Sequence, residues 1–140
     1  MWRSGAAVIG ASDAGAHLDF TITCDYPAYI IEHAVRRESV LSLEEAIHYM
    51  TAVPADLYGL RSRGRIEVGA HADLVVFDEG TFSAGPIRTR YDLPGQQGRL
   101  YSEPTGMDQV VVNGVPLAAG EPPSGSVLRR GRDTYTPRMN

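Results

Sequence analysis

The stretch Ala6-Ala7-Val8-Ile9-Gly10-Ala11-Ser12-Asp13-Ala14-Gly15-Ala16-His17 decides the fold class of this chain. Its first half is apolar at consecutive positions. A strand with one wet face alternates, whereas a strand covered on both faces does not, so Ala6 to Gly10 reads as a buried parallel strand. The polar residues follow at its carboxyl end. In parallel α/β architectures, groups beyond the strand ends face the site while the strands supply rigidity. Gly15 lets the backbone turn where a Cβ would obstruct it. Asp13 comes first after the strand and is therefore the best-anchored carboxylate in the chain. Taken alone, such an aspartate is more often a turn former or helix cap than a catalytic group. His17 alone is no stronger as a ligand.

Working outward, residues 12 to 26 read as an irregular loop, and Pro27 then opens a helix, being tolerated in a first turn. Ala28, Ile31, Ala34 and Val35 recur at helical spacing through about Arg37. Ser42 with Glu45 three residues later is a capping box. Leu43, Ala46, Ile47 and Met50 behind it form one apolar stripe. A third short helix starts near Pro54 and stops at Gly59, with Leu57 and Leu60 facing inward. After Gly64 the period changes. Ile66 and Val68 alternate with Glu67, and Ala72 to Asp78 reads as a strand rich in β-branched residues. Residues 80 to 106, rich in glycine and proline, read mostly as loop, with one strand at Pro86 to Tyr91. Asn113-Gly114 between Val110-Val111-Val112 and Val115-Pro116-Leu117 signals a hairpin, because both residues accept positive φ at the turn. The end from Glu121 is rich in Pro, Gly and Arg and reads as a fraying tail. The expected organisation is 1–62 as a strand–helix segment, 63–120 as a β segment, and 121–140 as a flexible tail.

Composition removes several functions. The 140 residues carry 17 acids against 13 bases, for a formal charge of −4. That balance argues against a polyanionic partner, since nucleic-acid binders show a basic face. No apolar run approaches the roughly 20 residues that span a bilayer. A closed (β/α)₈ barrel needs roughly 200 residues or more, so this chain cannot hold one. All 13 basic residues are arginine. A Schiff-base lysine, a phosphate-loop lysine and a metal-bridging modified lysine are thereby excluded within it. The single cysteine, Cys24, rules out an internal disulfide and points to the cytoplasm. The four histidines are dispersed, with no His-x-His or Cys-x-x-Cys pair, which speaks against a self-contained metal site. Ser12 has no evident base with an orienting partner, which weakens a serine triad. Arg129, Arg130, Arg132 and Arg138 read as a solvated tail rather than an anion site.

Several strings together resemble the C-terminal part of the amidohydrolase superfamily, most closely its N-acyl-D-amino-acid deacylase (D-aminoacylase-like) branch. They are Ser12 to His17, then Leu41-Ser42-Leu43-Glu44-Glu45-Ala46 with Thr51 and Pro54-Ala55, then Leu57-Tyr58-Gly59-Leu60 and Arg63-Gly64-Arg65-Ile66. Gly69 to Asp78, Asp92-Leu93-Pro94 and Val111-Val112-Asn113-Gly114 follow in the family's order. Gly64 to Asp78 is common across the superfamily. The Ser-Asp-Ala-Gly-Ala-His string points more narrowly to the deacylases.

The resemblance implies an α/β plus β chain. It would hold the last strand and helices of a metal-dependent (β/α)₈ hydrolase barrel, followed by C-terminal strands of the attached β-sandwich, with the barrel incomplete. It places Asp13 at the family's strand-eight aspartate, which touches the metal or its bound water and acts as the base. Zinc lowers the pKa of its bound water toward about 7. A carboxylate beside it can take the water's proton during attack on an amide and return it to the leaving nitrogen. Ser12 and His17 are the implied substrate-side residues. One or two zinc ions are implied for the complete enzyme, though not for this chain alone. The other ligands belong to the N-terminal barrel part, the implied partner, and Cys24 lies on the wrong strand to substitute. The implied substrate is a small-molecule linear amide, an N-acyl-D-amino acid. The chain is expected to be a truncated product or isolated segment, inactive alone and prone to self-association through uncovered edges. A cyclic-amide hydrolase of the hydantoinase or dihydropyrimidinase kind and a non-catalytic β-rich interaction module stand as alternatives.

Overall fold

The computed structural model describes residues 2–10, 12–118 and 124–135. The chain divides into two compact units. One comprises Met1–Gly10, Ile47–Phe77 and Asp108–Asn140; the other comprises Ala11–Ala46 and Asp78–Met107.

The second of these carries the Ser12 to His17 segment and is built on a helix. Pro27 sits in the first turn of α1 (Tyr26–Tyr29), which runs directly into a wider π-helix, Ile30–Arg37. The Glu38 N–H reaches back five residues to the His33 carbonyl at 2.9 Å. Ser39 then turns the chain at φ 49°, and the N–H groups of Val40 and Leu41 both reach the Ala34 carbonyl. Of the residues at helical spacing, Ala28 and Ile31 are buried and Ala34 and Val35 are half-buried; Leu41, beyond the helix, is buried as well. The Arg36 guanidinium donates to the carbonyls of Glu79 and Phe82 and so pins the loop that buries Phe82. Asp78 orders that loop by accepting the Thr81 N–H and hydroxyl at 2.9 and 3.0 Å.

The capping box forms as the sequence requires. Glu45 accepts the Ser42 N–H at 2.9 Å, and Ser42 Oγ accepts the Glu45 N–H at 3.2 Å. Helix α2 (Leu43–Met50) follows with Ala46 buried, and α3 (Ala52–Leu57) comes after Thr51. Gly59, at φ 63°, ends α3 in the left-handed conformation that suits glycine. Leu57 is not inward-facing as the spacing suggested: it is 54% exposed. The helix is too short to complete a stripe, and its buried face is carried by Ala52 and Ala55.

Strand β1 (Leu74–Phe77) lies within the expected 72–78 segment. It forms a sheet in the order β1-β4-β5 with β4 (Met107–Val112) and β5 (Val115–Pro116). The β4–β5 turn is the Asn113-Gly114 pair, with φ 50° and 80°. The Asp73 carboxylate accepts the Asn113 N–H at 2.9 Å and also pairs with Arg63. The Asn113 side chain donates to the Ser124 carbonyl at 2.8 Å. Further along, Thr134 bridges to Leu60 and the Arg61 N–H reaches the Asp133 carbonyl. Of the segment expected to fray, residues 121–123 and 136–140 lie outside the described residues.

Three sequence expectations need correction. Ala7 to Gly10 joins no ladder among the described residues. A parallel strand exists only as part of a sheet, and neither sheet of the described residues includes this segment. Ile66 and Val68 are no strand either, standing 90% and 107% exposed. Conversely, residues 80 to 106 are not mostly loop. They hold an antiparallel hairpin of β2 (Arg88–Leu93) and β3 (Gln97–Tyr101), joined by a turn at Pro94–Gln96. Its strands carry polar residues on both faces, so no apolar alternation announced β3. No closed barrel forms among the described residues.

Candidate functional site

The Ser12 to His17 segment is a self-bonded loop. Ser12 Oγ accepts the Ala14 N–H at 3.2 Å, and the Asp13 carbonyl accepts the Ala16 N–H at 2.9 Å. His17 adopts φ 47°, and its carbonyl accepts the N–H groups of Phe20 and Thr21 at 2.9 and 2.8 Å. Thr21 Oγ1 donates to the Ala16 carbonyl at 2.8 Å. This bonding is local because the segment is rich in small residues that let the backbone fold on itself. One longer tie anchors it: the Leu100 N–H of β3 donates to the Leu18 carbonyl at 2.7 Å.

Ser12 is half-buried, whereas Asp13, His17 and Asp19 are exposed. The Asp13 carboxylate has no hydrogen-bond or ion-pair partner among the described residues, and it caps no helix. It is available to a ligand or water on the solvent side. Asp13 and His17 thus share one loop.

His33 is half-buried and stacks on Tyr29 at 3.9 Å, while His48 and His71 are exposed. Cys24 is exposed. With Asp25, Ala28, Phe82, Ser102 and Met107 it lines a cavity of about 110 Å³. That space is well below the roughly 300 Å³ of an ordinary small-molecule pocket.

A zinc ion takes three or four protein ligands. Among the described residues no three His, Cys, Asp or Glu side chains come together. Asp13 belongs to no such group among the described residues, so these residues do not by themselves fit a metal centre. Among the described residues, no helix is long and apolar enough to cross a membrane.

Electrostatics elsewhere are set by ion pairs. Asp92 accepts two bonds from Arg99, both at 2.7 Å, which hold its carboxyl below the ordinary range. Asp56 is lowered by its two bonds from Arg65, and Asp133 by Arg132 and then the Arg129 N–H. The residues the sequence reading passed over are Arg88, Arg90 and Tyr101, on a hairpin of which only the first strand, at Pro86 to Tyr91, was expected. The alternation Arg88-Thr89-Arg90 was the signal available for them, since it puts both guanidinium groups on one strand face.

The chain is similar to enzymes of one kind. N-acyl-D-glutamate deacylase of Alcaligenes xylosoxydans xylosoxydans is 41% identical over 104 residues, which cover 72% of this chain and 20% of that protein. N-acyl-D-aspartate deacylase of the same organism is 48% identical over 65 residues, covering 42% of this chain and 13% of the relative. D-aminoacylase, again from that organism, is 32% identical over 88 residues, covering 63% and 16%. The chain therefore spans about a fifth or less of the length of these curated relatives. No solved structure matches significantly. The amidohydrolase family profile matches residues 1–118, a stretch that takes in the Asp13 loop, all three helices and the strands through the Asn113-Gly114 hairpin; the chain belongs to the amidohydrolase family.

Proposed function

We propose that this chain contributes the proton-transferring carboxylate, Asp13, to a hydrolase that cleaves a linear amide, an N-acyl-D-amino acid. The observation that carries the reading is the 41% identity over 104 residues to an enzyme named N-acyl-D-glutamate deacylase. It is supported by the exposed, unpaired state of Asp13 in the described residues.

The chemistry asked of Asp13 is modest and specific. An amide nitrogen leaves poorly unless protonated. A short carboxylate held by its own loop can take a proton from attacking water and deliver it to that nitrogen. The family generally uses metal ions, and the ligands for one would come from outside the residues described here. The finer architecture belongs to the same proposal: Ala6 to Gly10 completes a barrel only beside neighbouring strands, and the β1-β4-β5 sheet forms part of an attached sandwich. Ser12 and His17 lie on the substrate side of the loop. The 140-residue chain alone is inactive in this reading and needs the N-terminal barrel part as its partner.

The test is a graft. Residues 6–60 replace the matching segment of the Alcaligenes N-acyl-D-glutamate deacylase. The graft is expected to hydrolyse its substrate. Asp13→Asn in the graft is expected to cut turnover by about 10² to 10⁴, the worth of a general acid–base group. Near-normal turnover in that variant, with metal content unchanged, refutes the role of Asp13.

A further inference from the structure

We propose that the open face of the β2–β3 hairpin is a carboxylate subsite, in which Arg88 and Arg90 read the side-chain carboxylate of an acidic N-acyl amino acid. The ligand's identity rests on the functional reading above; the binding itself does not require turnover.

The strand register builds the site. Arg88 stands opposite Tyr101, and Arg90 stands opposite Arg99. Directly opposed residues share a face, and residues two apart on a strand do too. Three guanidinium groups and one phenol therefore share one side of a two-stranded ribbon. Like charges directly opposed are destabilising. Asp92 neutralises Arg99 with two bonds of 2.7 Å. Arg90 has no equivalent. Its ion partner Glu103 lies at 3.4 Å, at the long limit of a hydrogen bond, and both side chains are substantially exposed. The Arg88 side chain makes no hydrogen bond or ion pair among the described residues.

The groove around them encloses about 360 Å³ and is lined by Arg88, Arg90, Tyr101, Glu103 and Thr105 among others. That is the size of a small-molecule pocket. The Arg90 guanidinium lies 3.6 Å over the Tyr101 ring. Stacking of this kind fixes a planar guanidinium while leaving the rim of its N–H fork for a bidentate carboxylate. Two cations against one loosely held carboxylate leave the groove net positive in an acidic protein. Glu103 occupies, imperfectly, the place of the missing anion, and a ligand carboxylate displaces it from Arg90. The hairpin is also tied to the Asp13 loop through the Leu100–Leu18 bond, and both lie in the same compact unit.

The experiment titrates the full 140-residue chain with N-acetyl-D-glutamate and with N-acetyl-D-glutamine, following amide and guanidinium resonances by NMR. The two probes share the α-carboxylate and differ only in side-chain charge. The glutamate probe is expected to shift Arg88, Arg90 and Tyr101 and to bind at least about tenfold tighter than the glutamine probe, as loss of one charge-assisted bidentate contact implies. Arg90→Gln is expected to remove that tenfold preference. Glu103→Gln, which removes the competing carboxylate, is expected to tighten binding several-fold, and this gain cannot come from misfolding. The graft of residues 6–60 does not carry the hairpin of residues 88–101, so loss of turnover there bears on Asp13 and not on this groove. Equal binding of the two probes, equally tight binding of inorganic phosphate, or a Glu103→Gln affinity no better than that of the unsubstituted chain overturns the proposal.

Discussion

Gly64 joins two arginines that each hold a separate ion pair, and replacing it with alanine should cost far more than the same change five residues on. Gly64 has φ 80°. A Cβ there would lie 2.6 Å from the Ala55 Cβ and 2.9 Å from the Thr51 carbonyl oxygen. The first neighbour is a methyl on α3 and the second is backbone, so neither can rotate away. Gly69 has φ 92°, yet an added Cβ there meets nothing within 4 Å. Both positions lie in the same compact unit. Each substitution forces an L-residue into the left-handed region, at about 1–2 kcal/mol. Gly64→Ala adds an overpacking cost of about 1–3 kcal/mol. Gly69→Ala should therefore cost about 1–2 kcal/mol, and Gly64→Ala about 2–5 kcal/mol. The displacement would also pull Arg65 from Asp56 and Arg63 from Asp73. Urea unfolding of the two variants beside the parent measures the difference, provided the m-values stay constant. Equal costs at the two positions would show that α3 does not press against Gly64 in solution, and the packing argument would fall.

Other outcomes follow from the same contacts. Arg36→Met removes a cation that donates to two backbone carbonyls, Glu79 and Phe82. Bonds to charged groups contribute about 1.5–3 kcal/mol each where shielded, so a loss of about 2 kcal/mol is expected, read as a lowered urea midpoint. An unchanged midpoint would mean the loop is held without the clamp. Acid should loosen the chain for a specific reason. The carboxyls of Asp56, Asp92 and Asp133 are lowered by arginine bonds, and that of Asp78 by the Thr81 hydroxyl and N–H. A carboxyl lowered in the folded state contributes stability above its unfolded value of about 3.9 and loses it as the pH falls through the folded value. Stability should thus be level from pH 7 to about 5 and decline below about pH 4. Asp92→Asn should flatten that decline, and a pH 3 midpoint equal to that at pH 7 would contradict it.

Local rules were legible in the residues, and they hold where the partner atoms are a few positions away. The Ser42–Glu45 box closes because its donors and acceptors lie within one turn. Asn113-Gly114 turns because both residues tolerate positive φ. The family, too, was readable from motif order, since the strings from Ser12 to Gly114 fall within the matched stretch. That Asp13 lies in an irregular loop was visible in the same way.

What the tertiary structure decided was everything that depends on a distant neighbour. Ala6 to Gly10 has the composition of a buried strand, yet a strand is a relation between segments, and this one enters neither sheet of the described residues. Leu57, Ile66 and Val68 have apolar side chains in apparently periodic positions, but burial requires an opposing surface, and they remain exposed. The β2–β3 hairpin shows the converse. One of its faces is polar, so cohesion there comes from the Asp92–Arg99 pair and the arginines gathered at Tyr101, beside the ladder bonds. Sequence alone determined the turns, the caps and the family; pairing and burial were decided by the folded chain, because those energies belong to two segments at once and neither carries them alone.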